Sequence, residues 1–185
     1  MNENNAQNVS TGKPKAAGAV WTAPVGTTLP SDGVEPLEAA FTNMGYVSDE
    51  GVKNNTDIST QDINAWGGDV VLSTQTSYKE TFALTFIETN VPVLKEYYGA
   101  DNVIETATAI EVRHGAVDAP GHPWVIETVM QDGRVQRVVI PNGKLGERGE
   151  ITYNDGDAIG YQMTINALPD ASGCSAYTHF AKVAA

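Results

Sequence analysis

Cysteine is all but missing from this 185-residue chain, where Cys174 stands alone. A single thiol closes no internal disulfide and builds no thiolate metal cluster, and the chain is expected to be soluble and made in a reducing cytoplasm. Basic residues are scarce as well: 11 Lys and Arg stand against 23 Asp and Glu, for a net charge of −12. That balance argues against a basic surface that grips nucleic acid or anionic membrane, because such binding relies on Lys and Arg displacing counterions. No apolar run approaches the roughly 18 residues needed to cross a bilayer. Met1-Asn-Glu-Asn-Asn has neither the apolar stretch nor the cleavage pattern of a signal peptide.

Catalytic constellations are missing too. No Gly-x-Ser-x-Gly elbow occurs, and Gly67-Gly68 is followed by no Gly-Lys-Ser/Thr. His114 and His122 flank a Gly/Pro-rich segment with Asp118 between them, but the spacing matches no structural zinc pattern and no His-Glu-x-x-His helix. Cys174 lacks a neighbouring base and reads as a small buried thiol. Glu127 and Asp132 read as cross-strand partners of Arg134 or Arg137. No catalytic residue, metal or cofactor is expected.

What the chain does have is a folding composition, 41% hydrophobic, and an uneven charge. Residues 31–70 carry eight acids against Lys53, a net −7, whereas residues 111–150 are almost balanced at −1. An acidic run of this kind is either a solvated loop or a surface that repels polyanions or meets a basic partner.

Residues 1–15 are polar and aperiodic and predict a flexible tail; residues 16–185 predict one β domain. Ala16–Val25 reads as a first strand, and Glu35–Phe41 as one helical turn with Pro36 at its first position. Residues 48–69 predict a long acidic loop, with Ile63 and Trp66 as an anchor that packs on its own domain or on a neighbouring copy. Period-two alternation from Leu72 to Ile87 predicts a long strand, apolar at Phe82, Leu84 and Phe86 and Thr/Ser-rich upstream. One helix follows at about residues 90–98, capped by Thr89 or Asn90, with Pro92 inside its start and Gly99 at its end. Its stripe of Val93, Leu94, Tyr97 and Tyr98 suits docking on a sheet.

The remainder reads as β. Strands are expected at Thr106–Arg113, Trp124–Met130, Val135–Ile140, Glu150–Tyr153, Ile159–Ala167 and Ser175–Val183. Asp132-Gly133 makes a hairpin turn and Pro141-Asn142-Gly143 another. The pattern predicts a mainly β, antiparallel sandwich or barrel with one flanking helix and extended arms. A chain that keeps so many arms and edges is expected to be completed by copies of itself.

Three segments carry a family resemblance. Phe41-Thr-Asn-Met-Gly-Tyr-Val-Ser-Asp-Glu-Gly-Val, Thr60-Gln-Asp-Ile-Asn-Ala-Trp-Gly-Gly, and Thr81-Phe-Ala-Leu-Thr-Phe-Ile-Glu-Thr with the following Tyr97-Tyr98-Gly99 resemble, in order and spacing, elements of siphophage major tail (tail tube) proteins. The resemblance covers about residues 16–180.

It implies a structural virion protein of the tail, a β-sandwich subunit of hexameric rings that stack into a hollow tube. Double-stranded DNA crosses such a tube on ejection, a tape-measure protein lies in it during assembly, and terminator and tip proteins occupy its ends. By the resemblance, the loop of residues 48–69 would stack rings through Asp57, Asp62, Ile63 and Trp66, with Trp21 also at an oligomer interface. The strand Leu72–Ile87 (Thr74, Thr76, Thr81, Thr85) and the hairpin Trp124–Ile140 (Glu127, Arg134, Arg137) would supply inner-barrel strands. Other readings are a tail terminator or connector, a type VI secretion-like tube subunit, and a carbohydrate-binding module stacking sugars on Trp21, Trp66 or Trp124.

Overall fold

The computed structural model describes residues 4–6, 9–116 and 118–181. Eleven strands form in chain order: β1 (Gly12–Pro14), β2 (Val20–Thr22), β3 (Thr42–Asn43), β4 (Lys53–Asn64), β5 (Val70–Phe86), β6 (Val103–Glu105), β7 (Ile110–Val112), β8 (His122–Met130), β9 (Val135–Arg148), β10 (Tyr161–Ala167) and β11 (Tyr177–Phe180). Among the described residues one α-helix, α1 (Val91–Tyr98), lies between β5 and β6, followed by a 3-10 turn at Ala100–Asn102. Nine strands make one antiparallel sheet in the order β3-β2-β8-β9-β10-β5-β4, with β1 also on β8 and β11 also on β9; β6 and β7 pair separately. The expected mainly β, antiparallel architecture with one flanking helix is what forms.

The sheet curls. Residues that follow β3 bridge back to β5, with Ser48 N–H donating to Thr85 O (2.8 Å) and Ile87 N–H to Tyr46 O (3.0 Å). The strand pairings among the described residues do not close into a barrel. The curl nevertheless gathers Val20, Met44, Phe82, Phe86, Trp124, Ile126, Ile140, Met163 and Ile165 into one core. The helix closes that core with Val93, Leu94, Tyr97 and Tyr98, all buried. Asn90 caps it, Oδ1 accepting from Val93 N–H at 2.9 Å, and Gly99 at φ 91° ends it.

A second cluster, Ala23, Phe41, Val125 and Val139, lies beside Trp21, Leu29 and Leu37. Val125 pairs with Val139 and Glu127 with Arg137 across the β8–β9 hairpin, so these four share one face. The neighbouring Trp124, Ile126 and Ile140 face the main core. The hairpin is therefore covered on both sides.

Several sequence expectations are corrected. Residues 48–69 are not a loop: Lys53–Asn64 is a strand paired along its length with β5. The tail ends earlier than residue 15, because Gly12, Lys13 and Pro14 pair with Met130, Val129 and Thr128 and Lys15 reaches Glu127; residues 1–3, 7 and 8 lie outside the described residues. Glu35–Phe41 and Glu150–Tyr153 form neither helix nor strand. Thr106–Arg113 splits, its strand residues being Ile110–Val112 paired with Val103–Glu105. The last strand is shorter, Tyr177–Phe180, and the expected residues 182–183 lie outside the described part. Cys174 is exposed.

Pro141-Asn142-Gly143 makes no turn, and β9 runs straight through it. Pro141 has no N–H to give, and the strand places it where none is needed. On one edge of β9, β11 pairs with residues 136–139 and β10 with residues 143–148. On the other edge the ladder shifts register between the His122–Gly143 and Trp124–Ile140 pairs.

Candidate assembly surface

β5 is 17 residues long, and only its second half belongs to the core: Val70–Lys79 is exposed, then Phe82, Leu84 and Phe86 are buried. Every residue of β4 is exposed. The pair therefore projects from the body as a two-stranded arm, closed at its tip by Ala65–Asp69, where Ala65 N–H donates to Asp69 O at 2.8 Å. An isolated two-stranded hairpin is marginal in water. Here the arm is rooted in the sheet through β10, and Thr74 and Thr76 hydroxyls donate to Gln61 O (3.3 Å) and Ser59 O (3.2 Å).

The arm carries apolar residues on both faces. Ile58 stands opposite Tyr78, and Ile63 opposite Leu72. Directly paired residues share a face. The ladder shifts register between Ser59 and Thr60, with the extra residue on β5; along β4, which carries no extra residue there, positions 58 and 63 are an odd number apart and point to opposite faces. These four side chains are between 50% and 55% exposed, and Trp66 at the tip is bare at 108%. Ile63 and Trp66 are thus no anchor onto their own domain. Asp57 stands opposite Lys79 and Asp62 opposite Ser73, so these two acids lie on the arm and not on an irregular loop.

Where the arm joins the body, β5 and β10 present a second surface. Thr85 pairs with Gln162, Ala83 with Thr164, and Thr81 with Asn166. These six alternate with Phe82, Leu84, Phe86, Tyr161, Met163 and Ile165, which point into the core. These six positions are thus hydroxyls, amides and one methyl, and the flanking strands set Lys53, Glu147 and Lys144 on the same face.

The other expected positions fall elsewhere. Glu127 and Arg137 are each 1% exposed and bond each other, so their side chains face no open surface of the protomer. Arg134 sits beside the hairpin turn at Gly133, its Nε 2.5 Å from Asp132 Oδ2. Trp21 pairs with Val125 and Asn43, and its Nε1 donates to Gly18 O at 3.3 Å. Of the three tryptophans weighed as sugar platforms, Trp124 is buried and Trp21 packs on the second cluster, leaving Trp66 bare.

His114, Asp118 and His122 have separate neighbours: the Tyr98 ring, Lys144 and Glu96 respectively. Among the described residues no group of three or more His, Cys, Asp and Glu is placed to hold a metal, and no helix is long and apolar enough to cross a membrane. The β4 strand was missed because the usual signal depends on one buried face. A strand exposed on both faces shows no apolar alternation, and Ile58 and Ile63 five residues apart fit no single face.

A projecting ribbon with apolar pairs on both faces and a bare tryptophan is the kind of surface that marks interaction sites. A family model of phage tail tube proteins matches residues 2–183. The chain belongs to the phage tail tube protein family: it is a structural protein of the bacteriophage virion, located in the tail and assembling with other tail components. A search of curated proteins finds no match.

Proposed function

We propose that this chain is the major tail tube subunit of a siphophage, made in the host cytoplasm, forming hexameric rings that stack into a hollow tube. The tube holds a tape-measure protein during assembly and passes double-stranded DNA on ejection, with terminator and tip proteins at its ends. The observation that carries this reading is the β4–β5 arm. Its two apolar pairs and Trp66 leave apolar surface on every side, which water penalises and a slot in the adjacent ring relieves. Asp57, Asp62, Ile63 and Trp66 would make this ring-to-ring contact.

The outward face of β5 and β10 is the bore wall on this reading, and Thr81 and Thr85 lie on it. Its hydroxyls and amides remain hydrated, and the charges that flank them on the same face, Lys53 opposite Ala83, Glu147 opposite Thr164 and Lys144 opposite Asn166, are of mixed sign, so the wall offers phosphate no dense row of cations. The β8–β9 hairpin, covered on both faces, serves instead as the body that holds the wall in place.

Negative-stain microscopy of the purified protein tests this reading. Long, uniform hollow polymers with six-fold end views are expected. Single rings that never stack would favour a terminator or connector, and a monomer under all assembly conditions would overturn the reading.

A further inference from the structure

β5 changes character at Glu80. From Phe86 back to Glu80 it pairs with β10, and the last pair is Ala167 with Glu80; beyond that pair only β4 lies beside it. Alternation puts Glu80 on the same face as Phe82, Leu84 and Phe86, opposite the buried Ala167. A half-buried carboxylate thus takes the place next after three core side chains. Three neutral groups bond it. Asn54 Nδ2 of β4 donates to Oε1 at 2.9 Å, the Tyr78 hydroxyl donates to Oε2 at 3.3 Å, and Ser175 Oγ also donates to Oε2. Hydrogen bonds to an ionised acceptor are about twice as strong as neutral ones.

Ser175 belongs to the body. It is buried and lies in the segment between β10 and β11, whose shape Asp170 fixes. Asp170 Oδ1 accepts from Ser172 N–H (2.8 Å) and Cys174 N–H (3.2 Å), Oδ2 accepts from the Tyr177 hydroxyl (2.7 Å), and Asp170 N–H donates to Cys174 O (2.9 Å). Tyr177 in turn pairs with Val139 of β9, and Ala176 packs on the main core. A continuous path of bonds therefore runs from the middle of the sheet, through this segment, to the root of the arm.

We propose that Glu80 is a positioning residue: held by Ser175, it sets the angle at which the arm leaves the body, so that a free subunit carries its arm already aimed. This deepens the tube reading and rests on it for the consequence in assembly. A two-stranded ribbon is marginal by itself and pivots about its last attached pair. A pivoting arm must give up that freedom when it docks, and an arm aimed during folding does not. Leverage makes the root decisive. Ser73 stands about 24 Å beyond Glu80 along the strand, so a small change of angle at the root moves the outer arm by several ångströms. The strut holds the root and not the rungs, so single ladder bonds of the arm still open in the monomer.

Pulsed electron-spin distance measurement on the monomer tests the proposal. Spin labels are placed at Ser73→Cys on the arm and Lys95→Cys on α1, both exposed positions, in a chain whose exposed Cys174 is replaced by Ser. The parent should give a narrow distance distribution. Glu80→Ala and Ser175→Ala should each broaden it at least about twofold, and the double variant no further, because both remove the same contact. Circular dichroism checks that each variant folds. Ser175→Ala leaves the Asn54–Glu80 bond in place, and so separates loss of the strut from fraying of the arm. With Trp66 and both apolar pairs intact, the two variants should still assemble at least about tenfold more slowly than the parent. Distributions as narrow as the parent's would overturn the strut, and broad distributions with an unchanged assembly rate would overturn its role in assembly. A parent that forms no tube at all fails the tube reading, and the role in assembly with it, while the aimed arm, read on the monomer, stands.

Discussion

Arg137 donates to Glu127 Oε1 from Nη2 at 2.6 Å and from Nε at 3.0 Å, with both side chains 1% exposed. The same guanidinium donates to Asp32 O (2.7 Å) and Glu35 O (2.9 Å), and Lys15 Nζ meets Glu127 at 3.0 Å. One cross-strand pair thus ties the N-terminal segment and the acidic 31–36 stretch to the β8–β9 hairpin. Removing one partner leaves a buried charge unpaired. Arg137→Ala should therefore cost about 3–5 kcal/mol in chemical denaturation of the monomer. A loss under about 1 kcal/mol would mean that water or Lys15 compensates the carboxylate.

The partnership of Glu127 with an arginine of its own hairpin was legible in the sequence, as were the helix with its Asn90 cap and the projecting half of β5. The buried depth of the pair was not. Nothing in residues 23–41 announces that Phe41 and Leu37 fold back over the hairpin, since that contact is set by tertiary packing. The arm was legible only as a long acidic excursion with Ile63 and Trp66 as an anchor; the exposure of both on the protomer and its β structure were hidden because neither face is buried. Pro141 misled for a related reason: its harmlessness depends on which strands flank β9, which local sequence does not encode.

Gly143 shows how tightly that region packs. A Cβ there would stand 2.5 Å from Trp124 Cδ1 and 2.9 Å from Ile165 Cγ2, both in buried side chains. Gly143→Ala should destabilise the fold by about 1–3 kcal/mol through overpacking, read as a lowered denaturation midpoint. Gly133→Ala, at a turn with φ 83° and open space around it, is costly for a different reason: it strains the backbone.

His122 links α1 to β8. Burial works to lower its pKa, but the Glu96 carboxylate, 3.3 Å from Nε2, outweighs that and holds it above the ordinary 6.5. A raised folded-state pKa stabilises fully below the unfolded value, and the gain fades as pH rises through the folded one. Glu96→Gln should therefore lower the melting temperature at about pH 5.5 and leave it nearly unchanged at about pH 8.5. A uniform loss at both values would show that Glu96 acts by packing and not through the imidazolium.

Trp66→Ala separates folding from assembly. The side chain is bare, so monomer stability should change by no more than about 0.5 kcal/mol, while tube formation should fall sharply. A mutant that assembles as the parent does would remove the tryptophan from the ring contact.

Hydrogen exchange over residues 53–79 in monomer and in assembled tube tests most directly whether the arm is an assembly element. The account predicts weak protection in the monomer, where the arm's apolar pairs are half-exposed, and strong protection along both strands in the tube. Equal protection in the two states would contradict it.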